Sequence, residues 1–153
     1  MWLCCVILVI FLVPNGHSLK ISSNFSTSTC NGSISMAEYT ALQDLYYSTD
    51  GPKWLLPPGL NKSHWIFPSN LSAPCTDNWQ GIVCRPSYVD NFNSSTCYIA
   101  VLSLQRRNLN GLIPESISDL SHLEELLLQY NFLQGTIPNQ LGTMLGTTKL
   151  PNQ

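Results

Sequence analysis

The chain has 153 residues, a formal net charge of −2 and a charged fraction of only 10%. This length fits one domain, and without a basic cluster the chain offers no electrostatic footprint for nucleic acid. The low charge fits a protein whose solubility comes partly from attached sugar.

The first eighteen residues have the pattern of an export signal. An unbroken apolar run of twelve residues, Trp2–Val13, is too short to span a bilayer comfortably. The small residues Gly16 and Ser18 then predict cleavage before Leu19. Because no Lys or Arg precedes the run, an uncleaved anchor is the alternative.

One helix is predicted after a polar lead-in. Leu19–Thr29 is rich in Ser, Thr and Asn, and we expect residues 19–34 to form a flexible lead-in. Ser35 and Glu38 have the spacing of a capping box, and apolar residues follow at helical intervals, which predicts a helix from about Met36 to Tyr47. The apolar residues are Met36, Tyr39, Leu42, Leu45 and Tyr46.

Four cysteines remain beyond the expected cleavage site, and an even number in an oxidising compartment favours disulfides. Four cysteines allow three pairings. A four-cysteine zinc site is the alternative, but the sequence has no C-x-x-C pair. The cysteines are Cys30, Cys75, Cys84 and Cys97.

Five N-x-S sequons also point to export. All of them precede residue 96, so we hypothesise that glycans shield the N-terminal part and leave the following repeats open. The acceptor residues are Asn24, Asn31, Asn61, Asn70 and Asn93.

Residues 99–144 contain the same pattern twice, offset by 24 positions without a gap. This offset lies in the window of roughly 20–29 residues that leucine-rich repeats occupy. Such a repeat buries its apolar face only by stacking on neighbours. The first copy has Ile99, Leu102, Leu104, Leu109, Gly111, Ile113, Pro114, Ile117 and Leu120, which recur as Leu123, Leu126, Leu128, Leu133, Gly135, Ile137, Pro138, Leu141 and Met144.

Each copy begins with an alternation that is typical of a strand. Leu102 and Leu104, and likewise their counterparts in the second copy, are expected on one buried face. Asn110–Gly111 and Gln134–Gly135 predict tight turns after the strands.

The second copy, Leu123–Pro138, reads L-E-E-L-L-L-Q-Y-N-F-L-Q-G-T-I-P and resembles the plant-type leucine-rich repeat. In that family the asparagine, here Asn131, bonds through its amide to the backbone of adjacent coils. The first copy has Arg107 at this position and Asn108 one place later. An atypical terminal repeat explains this departure.

The preceding segment resembles the N-terminal cap of the same family, so that the resemblance covers about residues 35–145. It implies an α/β solenoid of leucine-rich-repeat coils with a helical, disulfide-stapled N-terminal cap over residues 35–97 and two repeats over residues 98–145. The matching residues are Glu38, Ala41, Leu42, Leu45, Tyr46, Ser48, Thr49, Gly51, Trp54, Trp65, Pro74, Cys75, Trp79, Gly81, Ile82 and Cys84.

The family pattern also implies the disulfide pairing. It places a local bond between Cys75 and Cys84, and with that pair assigned we expect Cys30 to pair with Cys97. The second pairing has less support, since the plain family pattern needs only the local bond.

By the same resemblance, residues between the strand leucines face the concave surface of the solenoid. Leu127 and Tyr130 would then be apolar and aromatic groups in a solvent-facing position. They are either isolated exposed residues, which are common, or part of a partner surface. The expected concave residues are Val101, Ser103, Gln105, Arg106, Glu125, Leu127, Gln129 and Tyr130.

The sequence does not predict an enzyme, a metal site or a cofactor. His64 and His122 lie in no catalytic or metal motif, and adjacent residues of a strand such as Glu124 and Glu125 point to opposite faces. The expected function is extracellular recognition of a protein, peptide or glycan by a secreted or receptor-like protein. The alternative is a structural cell-wall or matrix glycoprotein, or a small adaptor that docks on a larger membrane receptor.

The last residues, 146–153, read as a degenerate or truncated third repeat. Thr147 replaces the expected leucine, and Pro151 stands at a strand position. We expect no membrane span within these 153 residues. We expect the front part of a longer protein, with a short secreted chain that needs a partner as the alternative.

Overall fold

The computed structural model of the protein describes residues 9–11, 30–55, 65–77, 79–87 and 96–141. The rest of the expected export signal, His64, residues 142–153 and the sequons at Asn24, Asn61 and Asn93 lie outside these ranges. The elements in chain order are β1 (Val9–Phe11), α1 (Met36–Ser48), a 3₁₀ helix (Gly51–Lys53), α2 (Ala73–Thr76), β2 (Ile82–Pro86), β3 (Cys97–Ser103), β4 (Asn110–Leu112), a second 3₁₀ helix (Glu115–Asp119), β5 (Glu125–Leu127) and β6 (Phe132–Gln134).

The two repeats form two stacked coils joined by two sheets. In the first sheet, of order β1-β5-β3-β2, β3 and β5 are parallel with Leu102 opposite Leu126, so that the register equals the 24-residue repeat. Strands β2 and β1 add to the two edges of this pair in antiparallel orientation. The second sheet contains β4 and β6 in parallel, with Asn110 opposite Phe132.

The tight turn predicted at Asn110–Gly111 is wrong, because these residues belong to β4. Gly111 has φ 142°, and a Cβ atom there would lie 2.0 Å from the Ser48 carbonyl oxygen. The glycine therefore allows β4 to approach the end of α1 closely, where any side chain would clash.

The leucines that recur between the repeats form the core of the coils. Leu102 and Leu104 are fully buried, and Leu126 and Leu128 are each only 2% exposed. Burial of one such side chain stabilises a fold by roughly 1.5–3 kcal/mol. The predicted strand alternation is therefore confirmed at these positions.

Helix α1 has the predicted capping box and extends one residue beyond the predicted end. It packs against the 3₁₀ helix Glu115–Asp119 and against β4, so it lies on the first coil. Leu42 and Leu45 are buried as predicted, but Met36 is 63% exposed. The prediction for Met36 is wrong because the helix begins there, ahead of the part that contacts the coil.

The Glu38 side chain joins this helix to the first repeat. Its Oε2 accepts hydrogen bonds from the Ser35 N–H at 3.1 Å and the Ser35 hydroxyl at 2.9 Å, which completes the capping box. Its Oε1 accepts from the Ile99 N–H of β3 at 3.0 Å. With only 3% of the residue exposed, this carboxylate satisfies buried donors on two elements at once.

A cluster of aromatic rings packs beside α1. Trp65 stacks on Trp79 with ring centroids 5.5 Å apart and meets Trp54 edge-on at 4.8 Å. The indole N–H groups are satisfied, since Trp54 donates to the Thr49 carbonyl and Trp65 to the Gln80 carbonyl. Buried tryptophans with paired N–H groups contribute large apolar area without an unsatisfied donor.

The structure contains the local disulfide that the resemblance implied and the second bond that was expected between the remaining two cysteines. Cys75 is bonded to Cys84, which closes a short loop across a sequence separation of 9 residues, and Cys30 is bonded to Cys97 at the start of β3. The chain-entropy model gives the shorter bridge a stabilisation of roughly 2–3 kcal/mol.

Asn131 connects the two coils through its side chain. Its Oδ1 accepts from the N–H groups of Arg107 at 3.0 Å and Leu109 at 3.1 Å. Its Nδ2 donates to the carbonyls of Leu104 at 2.7 Å and Leu128 at 2.9 Å. One amide thus satisfies four backbone groups where the chain turns out of the strands, as the family pattern implied.

We predict that Glu38→Ala lowers the free energy of unfolding by about 2 kcal/mol, because it leaves the buried Ile99 N–H without an acceptor and removes half of the capping box. Urea denaturation of the secreted chain measures the loss. The control is Glu115→Ala, which removes an exposed glutamate from a 3₁₀ helix. Equal stability of the two variants would contradict the role assigned to Glu38.

We predict that Asn131→Ala costs about 2–3 kcal/mol, because it leaves backbone groups of two coils unsatisfied. Asn131→Asp should cost at least as much, since it keeps the acceptor for the two N–H groups but places a carboxylate oxygen against the Leu104 and Leu128 carbonyls. Thermal denaturation compares both with Asn139→Ala, at an exposed position. An Asn131→Ala variant as stable as Asn139→Ala would refute this assignment.

Candidate functional site

The outward-facing residues of β2, β3 and β5 and of the segments that follow β3 and β5 form one surface, which we call the strand face. The alternation that buries the leucines leaves the residues between them partly exposed, apart from Gln129. The strand face comprises Val83, Val101, Ser103, Gln105, Arg106, Glu125, Leu127, Gln129 and Tyr130.

Strand register arranges these side chains in rows across neighbouring strands. Val83 of β2 lies opposite Val101 of β3, which in turn lies opposite Glu125 of β5. Ser103 and Leu127 form the next row. On the other edge of β5, Leu127 is in register with Val9 of β1.

Sequence reasoning missed Val83, which is 37% exposed and extends the strand face onto β2. Ile82-Val83-Cys84 is apolar throughout, so the sequence carries no polar alternation that would indicate an exposed side of β2.

Gln105 and Gln129 occupy equivalent positions in the two coils and bond to each other. The Gln129 Nε2 donates to the Gln105 Oε1 at 2.7 Å. Gln129 is only 9% exposed, in contrast to the solvent-facing position expected for it. Within the described residues its Oε1 has no hydrogen-bond partner.

Arg106 and Tyr130 are also equivalent positions, and their side chains meet across the coils. The Arg106 Cζ atom lies 4.6 Å from the centroid of the Tyr130 ring. Both residues have left-handed backbone, with φ of 56° and 61°. This conformation is uncommon outside glycine and turns both side chains out at the end of their strands. The Arg106 N–H donates to the Gln129 carbonyl at 3.2 Å, which fixes the two turns to each other.

The charges near the strand face differ in how they are neutralised. Lys53 is paired with Asp50 at 2.8 Å, and the hydrogen bond to this carboxylate raises the pKa of the Lys53 ammonium group. Arg85 is paired with Glu124 at 3.1 Å. Arg106 and Arg107, by contrast, form no ion pair within the described ranges.

The described residues contain neither a metal-binding cluster nor a membrane-spanning helix. No group of three or more His, Cys, Asp and Glu residues in these ranges could hold a metal ion. His122 is exposed, and its ring lies 5.0 Å from that of Tyr98. No helix among these residues is long and apolar enough to cross a bilayer.

The two described sequons lie on exposed residues that are not part of the strand face. Asn31 and Asn70 are both exposed. The Asn70 Oδ1 accepts from the Ser72 N–H at 3.1 Å and the Ser72 hydroxyl at 2.8 Å, so the acceptor asparagine and its serine already contact each other.

Comparison with known proteins gives matches to plant receptor kinases. The chain is 38% identical over 94 residues to a leucine-rich repeat receptor-like protein kinase of Arabidopsis thaliana, covering 61% of this chain and 9% of the kinase. It is 30% identical over 120 residues to a receptor kinase of the same plant, covering 78% of this chain and 18% of the kinase. The chain therefore spans less than a fifth of the length of these relatives. No protein-family model matches it.

Among solved structures, the fold is similar to the leucine-rich-repeat ectodomain of the receptor kinase SOBIR1 from Arabidopsis thaliana. The TM-score is 0.50 at 23% identity, over 72% of this chain and 49% of that ectodomain. This similarity shows the leucine-rich-repeat solenoid fold. The chain is therefore a leucine-rich-repeat protein related to the plant receptor-like kinases, as the resemblance in its sequence predicted.

Proposed function

We propose that this chain is an extracellular recognition module that binds a protein, peptide or glycan ligand through its strand face. The observation that carries the proposal is the strand face itself, where amide, apolar, aromatic and charged side chains project from two coils. Its scaffold is rigid, because hydrogen bonds of both sheets and of Asn131 join the coils. Binding groups on a rigid scaffold lose little conformational entropy on association.

The proposed organisation follows the domain boundaries expected from the sequence. Residues 1–18 would be an export signal, 35–97 a cap for the open end of the solenoid, and 98–145 the two repeats. The packing of α1 on the first coil, the aromatic cluster and the disulfides support the capping role. Signal cleavage before Leu19 would also remove β1 from the edge of β5.

Recognition is favoured over catalysis because the strand face has no paired catalytic groups. Glu125 lies in the row of Val101, whereas its neighbour Glu124 bonds to Arg85. The relatives are receptor kinases of which this chain covers only a small part. We accordingly place the module at the extracellular face of the plasma membrane or in the secreted fraction.

The binding proposal predicts that ligands selected with the secreted chain depend on the strand face. Peptide and glycan arrays screened with the secreted chain should yield saturable binders. The double variant Gln105→Ala/Leu127→Ala should weaken them about tenfold, equivalent to about 1.4 kcal/mol. The matched control is Glu115→Ala/His122→Ala, which changes exposed residues outside the strand face.

Binders that are equally sensitive to both double variants, or arrays without saturable binders, would contradict the proposal. Self-association of the chain that persists in the strand-face variant would instead favour the structural glycoprotein or docking adaptor.

If the protein is exported as proposed, the exposed sequon residues Asn31 and Asn70 should carry N-glycans. Glycopeptide mapping of material secreted by plant cells should find both sites occupied and a mature chain that begins at Leu19. Asn70→Gln should remove one glycan without changing binding, because Asn70 is not one of the strand-face residues. Unmodified asparagines in secreted material would contradict the expected glycan shield.

A further inference from the structure

We propose that an N-linked glycan on Asn70 packs its first sugars against an exposed apolar patch of the cap. The patch consists of Tyr47, Ile66 and Phe67, and we call it the outer patch. This inference rests on the part of the proposed function that makes the chain an exported glycoprotein. It goes further, because it assigns the glycan a contact surface on the protein and an effect on stability.

The outer patch is apolar surface that the described fold leaves uncovered. Tyr47 is 65% exposed and Ile66 is 70% exposed, while Phe67 is partly buried. The ring centroids of Tyr47 and Phe67 lie 6.0 Å apart with their planes at 33°. The two rings and the isoleucine therefore form neighbouring apolar groups at the surface, and clustered exposed groups of this kind mark a contact site.

The rings of the outer patch are supported from beneath. Phe67 meets Trp79 edge-on with centroids 4.9 Å apart and meets Tyr46 at 5.3 Å. Tyr47 lies on α1 and its ring is 5.5 Å from that of Tyr46. Because these contacts hold the exposed rings in place, a sugar that packs on them costs little side-chain freedom.

Asn70 lies within reach of the outer patch. It is exposed and follows Phe67 by three residues, which span at most about 11 Å of chain. The segment between them is tied to α1, because the Tyr39 hydroxyl donates a hydrogen bond to the Pro68 carbonyl. The first two sugars of a glycan on Asn70 can therefore extend back over the rings.

The conformation of the Asn70 side chain is compatible with a glycan. Its Oδ1 accepts hydrogen bonds from the Ser72 N–H at 3.1 Å and the Ser72 hydroxyl at 2.8 Å. Since the two arms of an amide diverge, Nδ2 is directed away from Ser72. An N-glycan is attached to Nδ2, so both bonds to Ser72 can persist after the modification.

The sugars next to the asparagine match the outer patch chemically. The pyranose ring of N-acetylglucosamine has a face of C–H bonds, and its N-acetyl group ends in a methyl. Such C–H groups pack on the negative face of an aromatic ring, while the hydroxyl groups stay in water. A partner protein could also cover an apolar patch, but a glycan on Asn70 belongs to the same chain and so has a high effective concentration there.

A double-mutant cycle in the full secreted chain tests the contact, with Asn70→Gln to remove the glycan and Tyr47→Ala to remove an exposed ring. Urea denaturation gives the equilibrium constant for unfolding. Asn70→Gln alone should raise this constant about fivefold, the size of a typical aromatic contact. In the Tyr47→Ala background the loss of the glycan should change it less than twofold. Tyr47→Phe keeps the ring and should preserve the fivefold effect.

The matched control is Asn31→Gln, which removes a glycan from the other described sequon. Its effect should be the same in the presence and absence of the Tyr47 ring. Proton NMR provides an independent measurement: the N-acetyl methyl signals that disappear in Asn70→Gln should be shifted upfield by the rings. They should also show nuclear Overhauser effects to ring protons of Tyr47 or Phe67.

An occupied Asn70 whose removal is independent of Tyr47, or whose sugar signals show no contact with the rings, would overturn the proposal. So would self-association of the glycosylated chain that Tyr47→Ala abolishes, because a second copy would then cover the outer patch. These results leave ligand binding by the strand face untouched. Glycopeptide mapping that finds Asn70 unmodified would overturn this inference together with the expected glycan shield.

Discussion

The amide of Asn131 is the interaction on which the strand face depends. After each of these strands the chain turns, and backbone N–H and C=O groups at the turn have no partner within the sheet. Asn131 satisfies four of them, on both coils, with one side chain. Because Arg106 and Tyr130 lie in the corresponding turns of the two coils in left-handed conformation, the bonds that join the coils also orient the side chains proposed to bind.

The edge of β3 that does not face β5 is covered by the segment that precedes the repeats. Strand β2 pairs with β3, and the Glu38 carboxylate accepts from the Ile99 N–H while it caps α1. The first coil is therefore bound on one side by the N-terminal segment and on the other by the second coil. This arrangement is the basis for the proposed capping role, since an exposed apolar end and an open strand edge favour aggregation.

Much of this fold could be predicted from the sequence, because its determinants are local. The repeat leucines and the capping box have fixed spacings, and burial and hydrogen bonding follow those spacings in the structure. Strand β4 could not be predicted, because a strand that begins Asn-Gly depends on its partner and on the close approach to α1. The strand-face residues could be named from the family pattern. Their contacts, Gln105 with Gln129 and Arg106 with Tyr130, also depend on side-chain conformations that the 24-residue offset does not determine.

We propose that a ligand binds where β3 and β5 end, on the strand face, and not on the outer surface of the coils. Amide hydrogen exchange of the secreted chain with and without a selected ligand locates the protected residues. We expect slower exchange over residues 101–108 and 125–131 and no change over residues 115–122. Protection concentrated at residues 115–122 or along α1, with the strand face unchanged, would contradict it.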